Sequence, residues 1–467
     1  MKEANQPNVL LIMTDQHRFD YLGCMGADFL QTPNIDKLAE KGIKFNHCCT
    51  TAPICAPARI ALATGILPNR IGALENEVFL PVATQTTYYQ RLRDHGYQVG
   101  CVGKLDLAKP DTYNGKNGNR PCTYSFGFTL PFECEGKEHA FSPKVIGPYT
   151  AYLEEKGLLD KLWDAKKEHK QIKNHKVIKN KTQYDLATAD CVLDADDCED
   201  AFIGQKAVDW LGNITDEYPW HLFVSFVGPH YPYDPPKSYA DKYRSQEVPL
   251  PVKDNMSGKP QWIRERAGAS YPNETEILVS RRQYCAAISL IDDQVGQIMN
   301  VLEKRGMLDN TYIVFSSDHG DMMGDHNLYS KQVAYEPSLR VPLIVAGPNI
   351  VPGKVSEALI ELSDLNPTIC ELAGLPPQQD IDATSFNNLL FGMTEQHREN
   401  VVCFNMNFRM IRTREYKLIN NYNDIPELYD MNQDPDELHN IADRYPAIVQ
   451  ELTNALRSRC QGGKWLR

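Results

Sequence analysis

Five short runs of continuous apolar residues, separated by segments of helical periodicity, constrain this chain more than any other feature. They are Asn8–Met13, Gln98–Val102, His221–Val227, Thr311–Ser316 and Pro342–Ala346. An apolar run without alternation marks a strand buried on both faces, as in the interior of a parallel sheet. Helix candidates lie between them. Ile35–Lys41 follows Thr32-Pro33-Asn34, and Ala201–Leu211 follows an acidic cluster suited to a helix N-terminus. Gln283–Arg305 places Ile288, Ile291, Val295, Ile298 and Leu302 on one face. Strand–helix alternation of this kind predicts an α/β fold with a mostly parallel or mixed central sheet flanked by helices.

Two stretches break the pattern. Residues 110–200 are poor in strand signal and carry a lysine run, Lys161 to Lys181, followed by an acidic one, Asp190 to Asp200. Such runs read as solvated surface or, more sharply, as a cap over a substrate entrance. Tyr231–Pro272, rich in Pro and Tyr, reads as a long surface loop. After about residue 375, Val401–Asn405, Phe408–Arg412 and Tyr416–Asn420 read as strands and Pro446–Arg457 as a closing amphipathic helix. The expectation is a catalytic domain over 1–375 and a small antiparallel α+β subdomain over 376–467.

Charge and cysteine content exclude several classes. With 49 basic and 61 acidic residues the net charge is −12, which argues against a nucleic-acid partner. No stretch approaches the ~20 apolar residues of a membrane helix. The first apolar run, Val9–Met13, is too short for a signal-peptide core, so a cytoplasmic protein without membrane attachment is expected. Thirteen cysteines without a CxxC pair rule out a full disulfide framework and disfavour a zinc ribbon.

The chemistry sits at strand ends, where open α/β sheets place their sites. The runs end in Asp15-Gln16, in Gly103-Lys104-Leu105-Asp106, in Gly228-Pro229-His230, and in Ser317-Asp318-His319-Gly320-Asp321. Singly, each reads as a helix cap or turn. Together, carboxylates, an amide and an imidazole from adjacent strands would make a divalent metal site. Cys55, in Cys55-Ala-Pro-Ala-Arg59, is either a small buried thiol or a nucleophile whose pKa the nearby Arg59 lowers. The residues alone point to a metal-dependent hydrolase.

At this point the chain resembles the sulfatase family of the alkaline-phosphatase-like superfamily. Cys55-Ala56-Pro57-Ala58-Arg59 matches that family's C-x-P-x-R motif, and Thr64-Gly65 with Pro68 fits its downstream extension. Asp15-Gln16, Gly103-Lys104, Pro229-His230, Asp318-His319-Gly320 and Lys331 follow in family order. Arg412, Lys417-Leu418, Glu427-Leu428-Tyr429-Asp430 and Asp434-Pro435 resemble its C-terminal part. The resemblance implies a sulfuric ester hydrolase of the arylsulfatase kind. Cys55 would be oxidised by a formylglycine-generating maturation enzyme, and the hydrated aldehyde would be the nucleophile. Asp15, Gln16, Asp318 and His319, with position 55, would hold one divalent ion, calcium first, with manganese or magnesium as alternatives. Arg59 and Lys104 would stabilise the formylglycine or the charge of the metal site. Lys331 would bind the sulfate, and His230 would protonate the leaving group.

Some positions depart from the common pattern. Gln16 stands where many sulfatases have a second Asp, His319 where Asn is frequent, Ala58 where Ser is frequent, and Asp106 where many have His. An ionised Asp106 cannot donate to sulfate, so it is expected to recognise another substrate group. The Asp-Gln pair also resembles phosphonate monoester and phosphodiester hydrolases of the same superfamily, the alternative activity. A catalytically inactive binding relative is a third reading, opposed by the intact ligand set. The expected substrate is a small sulfate of a sugar, aryl or alkyl alcohol. Tyr231, Tyr233 and Trp262 are stacking candidates or core residues. Arg264, Arg266, Arg281 and Arg282, with the lysine run, are either a polyanion surface or solvated faces.

Overall fold

A computed structural model describes residues 6–111, 115–142, 147–165, 189–268 and 273–460. The main sheet contains β1 (Asn8–Thr14), β2 (Gly42–Cys49), β3 (Gln98–Gly103), β4 (Leu130–Glu133), β5 (Trp220–Ser225), β6 (Thr311–Ser317), β7 (Arg340–Val341), β8 (Leu343–Ala346) and β9 (Lys354–Glu361). Its order is β4-β3-β5-β1-β6-β8-β2, with β7 pairing the end of β2 and β9 running parallel to β2. From β4 to β6 all strands are parallel, whereas β8 runs antiparallel to both β6 and β2. The sheet is therefore mixed.

The helices used below are α1 (Pro33–Glu40), α2 (Cys55–Thr64), α3 (Glu199–Asn213), α4 (Glu274–Lys304), α5 (Leu365–Leu372) and α6 (Pro446–Arg459). Every residue of β1 is buried because alternate side chains feed two cores. Leu10 and Ile12 pack with α3 and α4 on one face, and Val9, Leu11 and Met13 pack with α2 and α5 on the other. A capping box starts α4: Asn273 Oδ1 accepts from Glu276 N (3.0 Å), and Asn273 N donates to Glu276 Oε2 (2.8 Å).

In the main sheet, β2, β4, β9 and the two-residue β7 were not expected from the sequence. β4 lies in the stretch read as strand-poor and contains Pro131, which an edge strand tolerates because one side needs no donor. β2 and β9 carry polar residues that break the continuous apolar pattern. The presumed loop Tyr231–Pro272 contains helices Lys237–Tyr243 and Gln261–Gly268, each entered directly after a proline. The lysine run lies mostly outside the described residues.

A second sheet, β10 (Val401–Phe404), β11 (Phe408–Arg412), β12 (Tyr416–Asn421) and β13 (Glu427–Asp430), is antiparallel throughout. Leu452 and Leu456 of α6 cover one of its faces. The other packs on Met322, Val333, Tyr335 and Leu339, between β6 and β7. Buried Glu336 fixes this junction, with Arg412 Nε at 3.0 Å and Lys417 Nζ at 2.6 Å. No helix among the described residues is long and apolar enough to cross a membrane. All thirteen cysteines are free thiols.

Candidate active site

The candidate catalytic and metal-ligating residues arrive at one end of the main sheet. Asp15 and Gln16 follow β1, Lys104 and Asp106 follow β3, His230 follows β5, and Asp318 and His319 follow β6. These strands are neighbours in the order β3-β5-β1-β6, so their C-terminal ends open onto one crevice. Gly103 makes the turn into Lys104. Its φ is 102°, and a Cβ there would lie 2.0 Å from the Ser225 carbonyl oxygen. Cys55 opens α2, and Arg59 follows one turn later.

The thiol of Cys55 is buried among charged groups. Its Sγ lies 3.1 Å from Lys331 Nζ, 3.2 Å from His319 Nε2 and 3.7 Å from Asp15 Oδ1. Burial and Asp15 push this thiol up, but Lys104, Lys331 and His319 together bring it well below the ordinary range. Burial likewise disfavours the Asp15 carboxylate, and Lys104, His230, Lys331 and Arg59 overcome it. Arg59 is fully enclosed. Its Nε donates to Asp318 Oδ2 (2.8 Å), Nη1 to Lys104 O (2.9 Å) and Ser225 Oγ (2.8 Å), and Nη2 reaches Asp15 Oδ2 at 3.5 Å.

An alternating line of charge runs outward from this centre. Lys104 pairs with Asp15 and, at 3.1 Å, with Asp106, and Asp106 in turn pairs with Lys109. Asp106 is thus occupied by two ammonium groups, and burial fails to raise its pKa against them. On the other side Lys331 Nζ donates to Gln16 Oε1 (2.8 Å) and His230 Nε2 (2.7 Å), while His230 Nδ1 donates to Tyr231 O (2.5 Å).

One ligand atom each from Asp15, Cys55, Asp318 and His319 falls within 4.8 Å of the others. His319 Nδ1 donates to Gly320 O at 3.0 Å, so Nε2, which faces the carboxylates, is the nitrogen a cation would take in place of a proton. Two carboxylates, an imidazole lone pair and the adjacent Gln16 carbonyl are a donor set that fits one divalent cation.

A cavity of about 290 Å³ opens onto Cys55 and is lined by Asn76, Lys109, His230, Tyr231 and Lys331 among others. Asn76 carried no sequence motif. Its Oδ1 accepts from Ala56 N at 3.1 Å, fixing the start of α2 beside the thiol. Ser225, also missed, is the hydroxyl that accepts from Arg59. Of the aromatic candidates, Tyr231 and Tyr233 line the cavity, whereas Trp262 bonds Asn421 Oδ1 (3.0 Å) at the junction with the second sheet. Of the four arginines, Arg264 is exposed and the other three have partners within the fold. Arg281 is buried on Asp325 (2.6 Å), Arg266 donates to the carbonyls of Tyr329 and Lys331, and Arg282 to that of Gln246.

The family pattern described as Sulfatase matches residues 7–375, and one described as N-sulphoglucosamine sulphohydrolase, C-terminal, matches residues 324–462. The chain is 27% identical to an arylsulfatase of Clostridium perfringens, over 98% of this chain and 95% of the relative. It is 29% identical to a choline-sulfatase of Rhizobium meliloti, over 96% and 85%. Among solved structures, a phosphonate monoester hydrolase of Agrobacterium radiobacter superposes with a TM-score of 0.81 at 25% identity, covering 97% of this chain and 95% of that one.

Proposed function

The chain belongs to the sulfatase family, and from that premise we propose that this sulfate-ester hydrolase acts through an oxygen nucleophile made from Cys55 and one divalent cation. The observation that carries the reading is the convergence on Cys55 of Asp15, His319 and Lys331, each within 3.7 Å of its sulfur. A cavity opens onto Cys55, but a thiolate there would carry no second group to expel sulfate once sulfated, so water would have to attack sulfur. Position 55 instead suits a small hydrated aldehyde, which supplies one hydroxyl to attack sulfur and a second to release sulfate. A bound cation would supply positive charge for the sulfate oxygens and lower the pKa of a hydroxyl at position 55.

Asp15, Gln16, Asp318 and His319 would hold the ion, and calcium is the ion proposed because oxygen donors dominate. The imidazole makes manganese the first alternative. Arg59 fixes Asp318 and Asp15 in place and offsets their charge. Lys331, held protonated, receives the sulfate, and His230 relays a proton from the Lys331 ammonium to the departing alkoxide oxygen. Asp106, bound by two lysines, contributes by setting Lys104 and Lys109 rather than by touching sulfate. A cavity of about 290 Å³ suits the sulfate of a monosaccharide, an aryl alcohol or a short alkyl alcohol.

Phosphonate monoester hydrolysis is the second reading, favoured by the fold likeness to the Agrobacterium enzyme. A panel of aryl sulfates, phenylphosphonates and phosphodiesters tests the order, read as kcat/KM. The proposal expects the highest value on a sulfate, and a higher value on either phosphorus ester would reverse it.

A further inference from the structure

Gln16 creates a requirement that a carboxylate at the same place would not have. A carboxylate offers an oxygen in either orientation, whereas an amide offers one oxygen and one NH2, so something must choose which end faces the site. In this chain Gln16 is fully buried at a φ of 66°, and its backbone is pinned by N–H donation to Asp318 Oδ1 (3.1 Å) and by acceptance at its carbonyl from Tyr284 OH (2.5 Å). Its side-chain NH2 donates to Asp321 Oδ2, and its Oε1 accepts from Lys331.

Asp321 is equally fixed. Its Oδ1 accepts from Met323 N and Ser330 N, both at 2.9 Å, and its Oδ2 accepts from Gln16 and from Tyr233 OH. Tyr233 is itself buried, edge-on to the rings of Tyr231 and Tyr284. Four donors hold this carboxylate so that one oxygen points at the Gln16 amide. Reversing that amide would set Oε1 against Asp321 Oδ2 and Nε2 against the Lys331 ammonium, so both contacts would become repulsive.

We infer that Asp321 is a positioning residue. It acts through Gln16, holding Oε1 toward the cation and keeping the NH2 away from it. The inference rests on the cation site proposed above. It assigns the second negative charge of the site, absent from Gln16, to a residue standing directly behind it.

The test is an amide reversal and its repair. In Asp321→Asn the side-chain oxygen keeps the Met323 and Ser330 donors, so the new NH2 meets the Gln16 NH2. Gln16 then turns over and presents NH2 to the cation. In Gln16→Glu/Asp321→Asn the carboxylate at 16 again offers an oxygen to each side, with the total charge unchanged. Calcium and manganese affinities of wild type, D321N and the double variant are measured by titration calorimetry, with melting temperature beside them. D321N is expected to bind about 10- to 100-fold more weakly, and the double variant to recover most of that loss. A D321N protein that melts lower but binds the ion as wild type does, or a folded double variant without recovery, would overturn the positioning role. A wild-type protein that takes up neither ion would instead remove the proposed cation, and this inference with it.

Discussion

Arg59 Nε donates to Asp318 Oδ2 at 2.8 Å, joining the helix that begins at Cys55 to the strand end that carries Asp318 and His319. Both side chains are fully enclosed. Removing one partner of such a pair leaves the other charged and unpaired, which costs roughly 3–5 kcal/mol. Arg59→Ala is therefore expected to lower stability by that order in chemical denaturation, and Arg59→Lys by less. An R59A protein as stable as wild type would contradict the structural half of this pairing.

Metal removal has a predicted signature. Exhaustive chelation is expected to abolish turnover, and added calcium to restore it. Asp318→Ala should be inactive with calcium present, because a ligand and the Arg59 partner are lost together. Full activity of D318A with calcium present, or of wild type after chelation, would contradict the proposed ligand set.

His230 shares Lys331 as a neighbour, with 2.7 Å between the nitrogens. If His230 protonates the leaving group, His230→Ala should lose roughly 10²–10⁴-fold in rate on alkyl sulfates. It should lose far less on nitrophenyl sulfate, whose leaving group needs no proton. Equal losses on both substrates would assign His230 to binding instead.

Asp292 gives a pH prediction remote from the site. Its carboxylate accepts from the backbone N–H of Asn34 (3.1 Å) and Ile35 (2.8 Å) at the start of α1. Burial nonetheless raises its pKa to about 6, only partly opposed by those donors. The folded state thus holds a proton that the unfolded chain releases near pH 4. The stability gained from this proton is complete below that point and is lost as pH rises through about 6. The linkage amounts to on the order of 1 kcal/mol between pH 5 and pH 7. Asp292→Asn should flatten the stability profile over that interval, and an unchanged slope would contradict the assignment.

The parts of the fold legible in the sequence were those with an unambiguous pattern. β1 and β6 are buried on both faces, so their runs were continuous and their ends lay within a residue of Thr14 and Ser317. β2 and β9 were illegible because residues such as Asn46, His47 and Glu357 interrupt their apolar pattern. Asp15, Lys104, His230 and Asp318 were legible as candidates because each directly follows such a run at the end where α/β sheets place their sites. Asn76 and Ser225 were not, since what makes them part of the site is a hydrogen bond to α2, formed only by tertiary packing. Asp321 was visible beside Asp318, but its relation to Gln16, 305 positions away in the chain, was not.

The most direct test of the central claim is the mass of the tryptic peptide Phe45–Arg59, which contains Cys55, from protein co-produced with a formylglycine-generating enzyme. The account predicts an aldehyde or its hydrate at position 55, with Cys48 and Cys49 in the same peptide still thiols. An unmodified thiol at position 55, where a known sulfatase is converted under the same conditions, would contradict it.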